Sequence, residues 1–187
     1  MNYDIWNFFL SLESDLIDTS KYVHFAEENF ETFSSQFSKI LLASASEFES
    51  VSKKFLKALY PEKNPGNIGQ IKEPLLTKFP NIYKNVVTIA RYGIEIKPFC
   101  SWANGGKLVW WDAYTNIKHD RNKNFKEASL LCAFNALSAL LVLNVYYYRK
   151  IHKFKHLSGN KLLNMAGMGE TIIAAPSNDL PDEIKTT

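Results

Sequence analysis

Cysteine is scarce in this chain of 187 residues, which contains only Cys100 and Cys132. The two are not spaced as CxxC, the usual sign of a zinc site or a redox dithiol, so we expect neither a disulfide nor a metal. Walker-type, GxGxxG, HExxH and GxSxG patterns are also missing. Their absence removes the sequence evidence for a nucleotide-binding loop, a zinc protease or an α/β-hydrolase, and we expect no cofactor.

A basic n-region of the kind that begins a secretory leader is missing from the N-terminal stretch, where Asp4 and Asp15 occur instead. With the two unpaired thiols, this predicts a cytoplasmic location.

Acidic and basic residues are unevenly distributed along the chain. Residues 1–50 contain nine Asp/Glu and two Lys, a net charge of −7, and the remainder has a net charge of +10. The favoured interpretation is an acidic helical hairpin packed beside a basic one, or a head-to-tail contact between subunits. Alternatively, the asymmetry indicates an anionic partner, such as RNA or a nucleotide, for the second part.

Apolar residues recur at helical spacing over most of the N-terminal third. A first stripe from Ile5 to Leu16 predicts a helix that ends near Asp18. A second runs from Tyr22 to Leu59 and stops before Pro61; its length predicts a kink near Ser44–Ser46. A short helix over Ile71–Lys78 follows a loop.

The second half of the chain predicts one hairpin and two helices. A β-branched run over residues 86–96, interrupted by Gly93, indicates a small hairpin. Trp110–Ile117 has the pattern of a short helix. Asn124 and Glu127 have capping-box spacing, which predicts a last helix from Phe125 to about Lys150. Polar residues interrupt this helix, so we expect a buried central helix rather than a membrane span.

These elements predict an all-α fold: a helical bundle with long helices and a small β-hairpin insertion between the N-terminal helices and the last long helix. We expect one domain over residues 1–155. From Gly167 onward Gly, Ala, Pro, Ser and Asp dominate, so residues 156–187 are predicted to be a loosely docked or disordered tail.

A polar motif precedes the last helix and carries the candidate chemistry: Asn116, Lys118, His119 and Arg121. A histidine to move protons and cations to bind a phosphate are what a metal-independent ribonuclease needs. We predict His119 as the acid or base, Arg121 as the phosphate clamp, and Asn116 and Lys118 as positioning groups. Alternatively, His119 and Arg121 contact Asp112 or Asp120 and the segment only links two helices.

Three further residues support this candidate site: Glu47, Asp120 and Asn122. Glu47 lies on the second predicted helix, and a solvated helix face is the favoured interpretation of the segment around it. Alternatively, Glu47 or Glu49 turns inward and orients His119 or Arg121, with Glu47 the better candidate because its neighbours are apolar.

Tryptophans are concentrated beside the motif. Trp102, Trp110 and Trp111 are able to stack nucleobases, but core packing is the favoured interpretation.

An all-helical domain with a polar Arg/His/Asn motif directly before its last long helix resembles the HEPN superfamily. That superfamily occurs among bacterial toxin ribonucleases, abortive-infection proteins and nucleotide-binding accessory domains. The similarity covers residues 1–150 in architecture and residues 116–122 in motif. RNA-cleaving members use an arginine, a polar residue after it, and a histidine several residues later. Arg121 and Asn122 fit the first two positions, but residues 126–128 are Lys, Glu and Ala, and His119 precedes the arginine.

The resemblance implies RNA or nucleotide binding, with metal-independent cleavage, in a defence, stress or toxin–antitoxin role. It also implies a homodimer with the site formed across two subunits, and an antitoxin or defence protein as partner. The competing hypothesis is a non-catalytic helical interaction protein in which the same polar residues form an interhelical network.

Overall fold

Two helices, α2 (Ser35–Leu59) and α6 (Leu130–Ile151), form the centre of the bundle. They run parallel, since backbone hydrogen bonds join the residues at their N-terminal ends and Phe55 meets Tyr147 near their far ends. The computed structural model describes residues 4–151 and the pair 173–174. Helices α1 (Asp4–Thr19) and α4 (Val109–His119) pack against both central helices, and α3 (Ile68–Lys78) packs against α2. The single-turn α5 (Arg121–Asn124) packs against α4. The protein is therefore all-α, with a small β insertion between α3 and α4, as predicted.

The central helix α6 is apolar around most of its circumference, and 16 of its 22 residues are buried. It is long and apolar enough to cross a membrane, with a hydropathy of 1.8 over its most apolar window, but 83% of that window is buried inside the bundle. A helix that is apolar on all sides needs partners on all sides. The surrounding helices supply them, and the predicted buried central helix is confirmed.

The start of α6 differs from the prediction. The helix begins at Leu130, and the Ser129 Oγ accepts a hydrogen bond of 3.2 Å from the Cys132 N–H, which caps its N-terminus. Asn124 makes no side-chain cap bond to the 3₁₀ turn that follows it. The capping box predicted from Asn124 and Glu127 was wrong because both side chains bind elsewhere.

The second helix is much shorter than predicted. Ser34 caps it, accepting a bond of 3.1 Å from the Phe37 N–H, and residues 20–33 are not helical apart from a 3₁₀ turn at residues 27–29. Instead, Phe33 pairs with Ser129 as an antiparallel bridge, and Leu130 N–H donates to the Thr32 carbonyl. These backbone bonds to the start of α6 replace the helical ones. The 25-residue α2 is continuous as a helix through Ser44–Ser46, where the kink was expected.

The predicted hairpin is confirmed, with short strands β1 (Val87–Ile89) and β2 (Ile94–Ile96) paired antiparallel. Gly93 sits in the connecting turn with a φ of 66°, in the left-handed region that glycine tolerates best. A third strand, β3 (Ile173–Ala174), pairs antiparallel with β1 on its other edge. The rest of the predicted tail, residues 156–187, lies outside the described residues.

Polar groups are buried along the α2–α6 contact. The hydroxyls of Ser44, Ser52 and Ser138 and the side-chain amide of Asn144 have no hydrogen-bond partner among the described residues. Each such group lowers stability relative to an apolar side chain of the same size.

Candidate functional site: a polar motif at the α4–α5 junction

The polar motif lies where α4 ends and α5 begins, on the surface of the bundle. The inner face of α4 buries Trp110, Trp111, Tyr114 and Ile117. Because residues on a helix alternate between faces with a period of 3.6, the same helix presents Asn116, Lys118 and His119 outward, and all three are exposed. Burial of the tryptophans, only 2% exposed at Trp110, confirms that they belong to the core and not to a stacking surface.

One part of the motif holds the junction together. The Asn116 amide nitrogen donates to both carboxylate oxygens of Glu127, at 3.2 and 2.9 Å. Asn124 donates from its amide to the backbone carbonyls of Asn116 and Asp120, at 2.9 and 3.0 Å. The Asp120 carboxylate caps α5 by accepting from the Lys123 N–H at 3.2 Å. We call Asn116, Asp120, Asn124 and Glu127 the anchored set.

The remaining motif residues have few partners, and we call Lys118, His119, Arg121 and Asn122 the outer set. Lys118 donates to the Tyr114 hydroxyl at 3.3 Å, and Arg121 donates to the Ser35 hydroxyl at 3.4 Å. Both bonds are long and therefore weak. His119 and Asn122 are exposed and form no hydrogen bond within the described chain. These side chains are available to a ligand.

Arg121 belongs to a small group of aromatic residues. Its guanidinium lies 5.1 Å from the centre of the Phe125 ring, a cation–π distance. Phe125 in turn meets Phe33 edge to face, with ring centres 5.7 Å apart, and Phe33 is 42% exposed. An exposed ring beside a cation is able to stack a nucleobase while the cation binds the adjoining phosphate.

The predicted contacts between the motif and carboxylates do not occur. Glu47 lies half-buried on α2 and forms no hydrogen bond or ion pair with His119 or Arg121 in the described residues. Neither of those side chains pairs with Asp112 or Asp120 there. The alternative in which Glu47 orients the histidine or Arg121 therefore has no hydrogen bond or ion pair in the described residues to support it.

Two clefts of about 510 Å³ each lie elsewhere on the described surface, and the motif residues line neither of them. Within residues 4–151, no three His, Cys, Asp or Glu side chains come together as metal ligands would.

Sequence reasoning missed Phe33, Ser35 and Phe125 as neighbours of the motif. Phe125 directly follows Asn124, but it had been placed at the start of a helix. Phe33 and Ser35 lie more than 80 residues from Arg121, and Phe33 matched a helical stripe, so no local signal identified them. Their approach depends on the pairing of residues 30–34 with the start of α6.

Comparison with family models, curated proteins and solved structures gives no match to this chain. The resemblance to the HEPN superfamily therefore remains an expectation from the motif and the helical architecture.

Proposed function

We propose that this protein is a HEPN-like domain that binds single-stranded RNA at the outer set and cleaves it without a metal, in a bacterial defence, stress or toxin–antitoxin role. One observation carries the proposal: the exposed Arg121 guanidinium lies over Phe125, beside the exposed ring of Phe33. A cation for phosphate next to a ring for a base is the minimum that binding of an unpaired strand requires.

In this proposal Phe33 stacks a base while Arg121 and Lys118 contact the backbone phosphates. Arginine suits the phosphate through its planar pair of donors. His119, two residues before Arg121, would accept the ribose 2′-hydroxyl proton as the oxygen attacks the neighbouring phosphate. The leaving 5′-oxygen needs a second proton donor. We propose that it comes from the His119 of a second copy in a homodimer, as the HEPN resemblance implies.

The anchored set favours the alternative function, a non-catalytic helical interaction protein. Asn116, Asn124 and Glu127 form an interhelical network that needs no ligand to explain it. This network explains the anchored set. It leaves the exposed Arg121 and His119 without a role, which is why we place it second.

Replacement of Arg121 tests the binding step. Fluorescence anisotropy with a labelled single-stranded RNA should show that Arg121→Ala weakens binding about tenfold, as expected for loss of a charge-assisted phosphate contact. Arg91→Ala is the matched control, since Arg91 is also exposed and also lies near a ring, with its guanidinium 5.8 Å from the centre of Tyr92. Equal losses in the two variants would show that binding is only a response to net charge.

A further inference from the structure

A second site lies away from the polar motif. The cleft of about 510 Å³ is formed by the segment before α2, the end of β2, the start of α4 and the first turns of α6. Clefts that hold small molecules typically enclose about 300–1,000 Å³. Because four separate parts of the chain form its walls, the shape of this cleft is fixed by the packing of the bundle rather than by one loop.

The charge around this cleft is mainly negative. Glu27 and Glu95 line it with exposed carboxylates, and Lys97 is the one cationic side chain among its described lining residues. Burial raises the pKa of the Cys132 thiol, against the lowering effect of its bond with Ser129, and the nearby Glu31 raises it further. This wall of the cleft is therefore a neutral thiol at pH 7, and two carboxylates against one ammonium leave the lining with one net negative charge.

The cleft also offers apolar surface. Phe30 and Leu131 are half-buried, and Val109 is 70% exposed although it lies in the first turn of α4. Exposed apolar side chains grouped in a concavity mark binding sites more often than isolated ones do. The Asn135 amide nitrogen is bound to the Leu131 carbonyl at 2.9 Å, so the amide oxygen can accept a hydrogen bond from a ligand.

From this combination we infer that the cleft is a binding site for a small organic cation, an ammonium group attached to an apolar chain or ring. The ammonium faces the carboxylates of Glu27 and Glu95, and the apolar part covers Phe30, Val109 and Leu131. The inference is independent of the proposed RNA function, since no residue of the polar motif lines the cleft.

Isothermal titration calorimetry with 2-phenylethylammonium tests this inference, and the neutral 2-phenylethanol is a control of the same shape. We expect saturable binding of the ammonium and binding of the alcohol at least about tenfold weaker, since the alcohol lacks the charge. Glu27→Gln and Glu95→Gln should each weaken the ammonium about threefold. The matched control is Glu28→Gln, because Glu28 is exposed, adjacent to Glu27 and outside the cleft lining.

Alkylation of Cys100 gives a second measurement that locates the ligand. Cys100 is exposed and lines the cleft, so bound 2-phenylethylammonium should slow its reaction with iodoacetamide. The inference is overturned by any of three results: no saturable binding at millimolar ammonium, equal binding of the alcohol, or unchanged Cys100 reactivity. An equal effect of Glu28→Gln and Glu27→Gln would also overturn it.

Discussion

The anchored and outer sets of the polar motif are interleaved within twelve residues of sequence, yet the fold uses them differently. In the anchored set, Asn124 and Asp120 bond backbone groups at the end of α4 and the start of α5, and Asn116 and Glu127 bond each other. In the outer set, only Lys118 and Arg121 have side-chain hydrogen bonds among the described residues, and both bonds are long. The comparison teaches that a cluster of polar residues before a helix is evidence for a binding site only where its side chains are not already used in structural hydrogen bonds.

The largest expected effect concerns His119, an outer residue whose side chain forms no hydrogen bond within the described chain. His119→Ala should lower the rate of RNA cleavage about 100-fold or more, because general acid–base catalysis typically contributes at least that factor. Gel analysis of a labelled single-stranded RNA in the presence of EDTA measures it. His24→Ala is the control, since His24 is likewise an exposed histidine. Equal cleavage by the parent and His119→Ala would remove His119 from the mechanism.

Phe33 tests whether the aromatic group beside the outer set takes part in binding. Phe33→Ala should weaken single-stranded RNA about tenfold, since stacking of a base on an aromatic ring contributes about 1–3 kcal/mol. Anisotropy titrations measure this, and Phe33→Trp should retain binding. Tyr22→Ala serves as control because Tyr22 is 88% exposed and does not contact the motif. If the Phe33→Ala and Tyr22→Ala proteins bind equally well, stacking at Phe33 is excluded.

Substitution in the anchored set should lower stability and leave RNA binding nearly unchanged. Asn124→Ala removes two hydrogen bonds to carbonyls at the α4–α5 junction, so the free energy of unfolding should fall by about 1 kcal/mol. Urea unfolding measures the change as a lower midpoint with an unchanged slope. RNA affinity of the folded variant should stay within about twofold of the parent. A tenfold loss of affinity with unchanged stability would show that the division of the motif is wrong.

Asn122 should give the smallest effect. It follows Arg121 at the position where the HEPN pattern has a polar residue, but its side chain is exposed and makes no bond in the described chain. Asn122→Ala should change the free energy of unfolding by less than about 0.5 kcal/mol and leave RNA affinity unchanged. A loss of cleavage with intact binding would instead give Asn122 a direct role in the reaction and support the HEPN resemblance.

Much of the fold could be predicted from local patterns. The helical stripe from Ile5 to Leu16, the Gly93 turn and the apolar run of α6 each specify an element through contacts between residues close in sequence. The errors occurred where backbone groups bond to distant partners. The phenylalanines in residues 30–34 have helical spacing, but the main chain of this segment pairs with residues 128–131. The apolar pattern within the segment gives no indication of that pairing.

The sequence predicted where the candidate site lies along the chain, but it identified only some of the residues that form it. Local sequence identified the residues from Asn116 to Asn122. It did not distinguish the side chains that form structural hydrogen bonds from those that remain exposed. That distinction depends on the backbone conformation at Asp120, where α4 ends and α5 begins. The aromatic partners of Arg121 were missed, and the contact considered for Glu47 has no support among the described residues.

The sequence alone determined an all-helical bundle with one apolar central helix, a small hairpin and a polar junction before that helix. Those features follow from the spacing of apolar residues and the local chemistry of caps and turns. Tertiary structure decided which polar side chains became part of the scaffold, and it brought Phe33 and Ser35 to Arg121. It also assembled an acidic cleft from four segments. The physical reason is that burial patterns repeat locally, whereas hydrogen-bond partners and cleft walls come from distant parts of the chain.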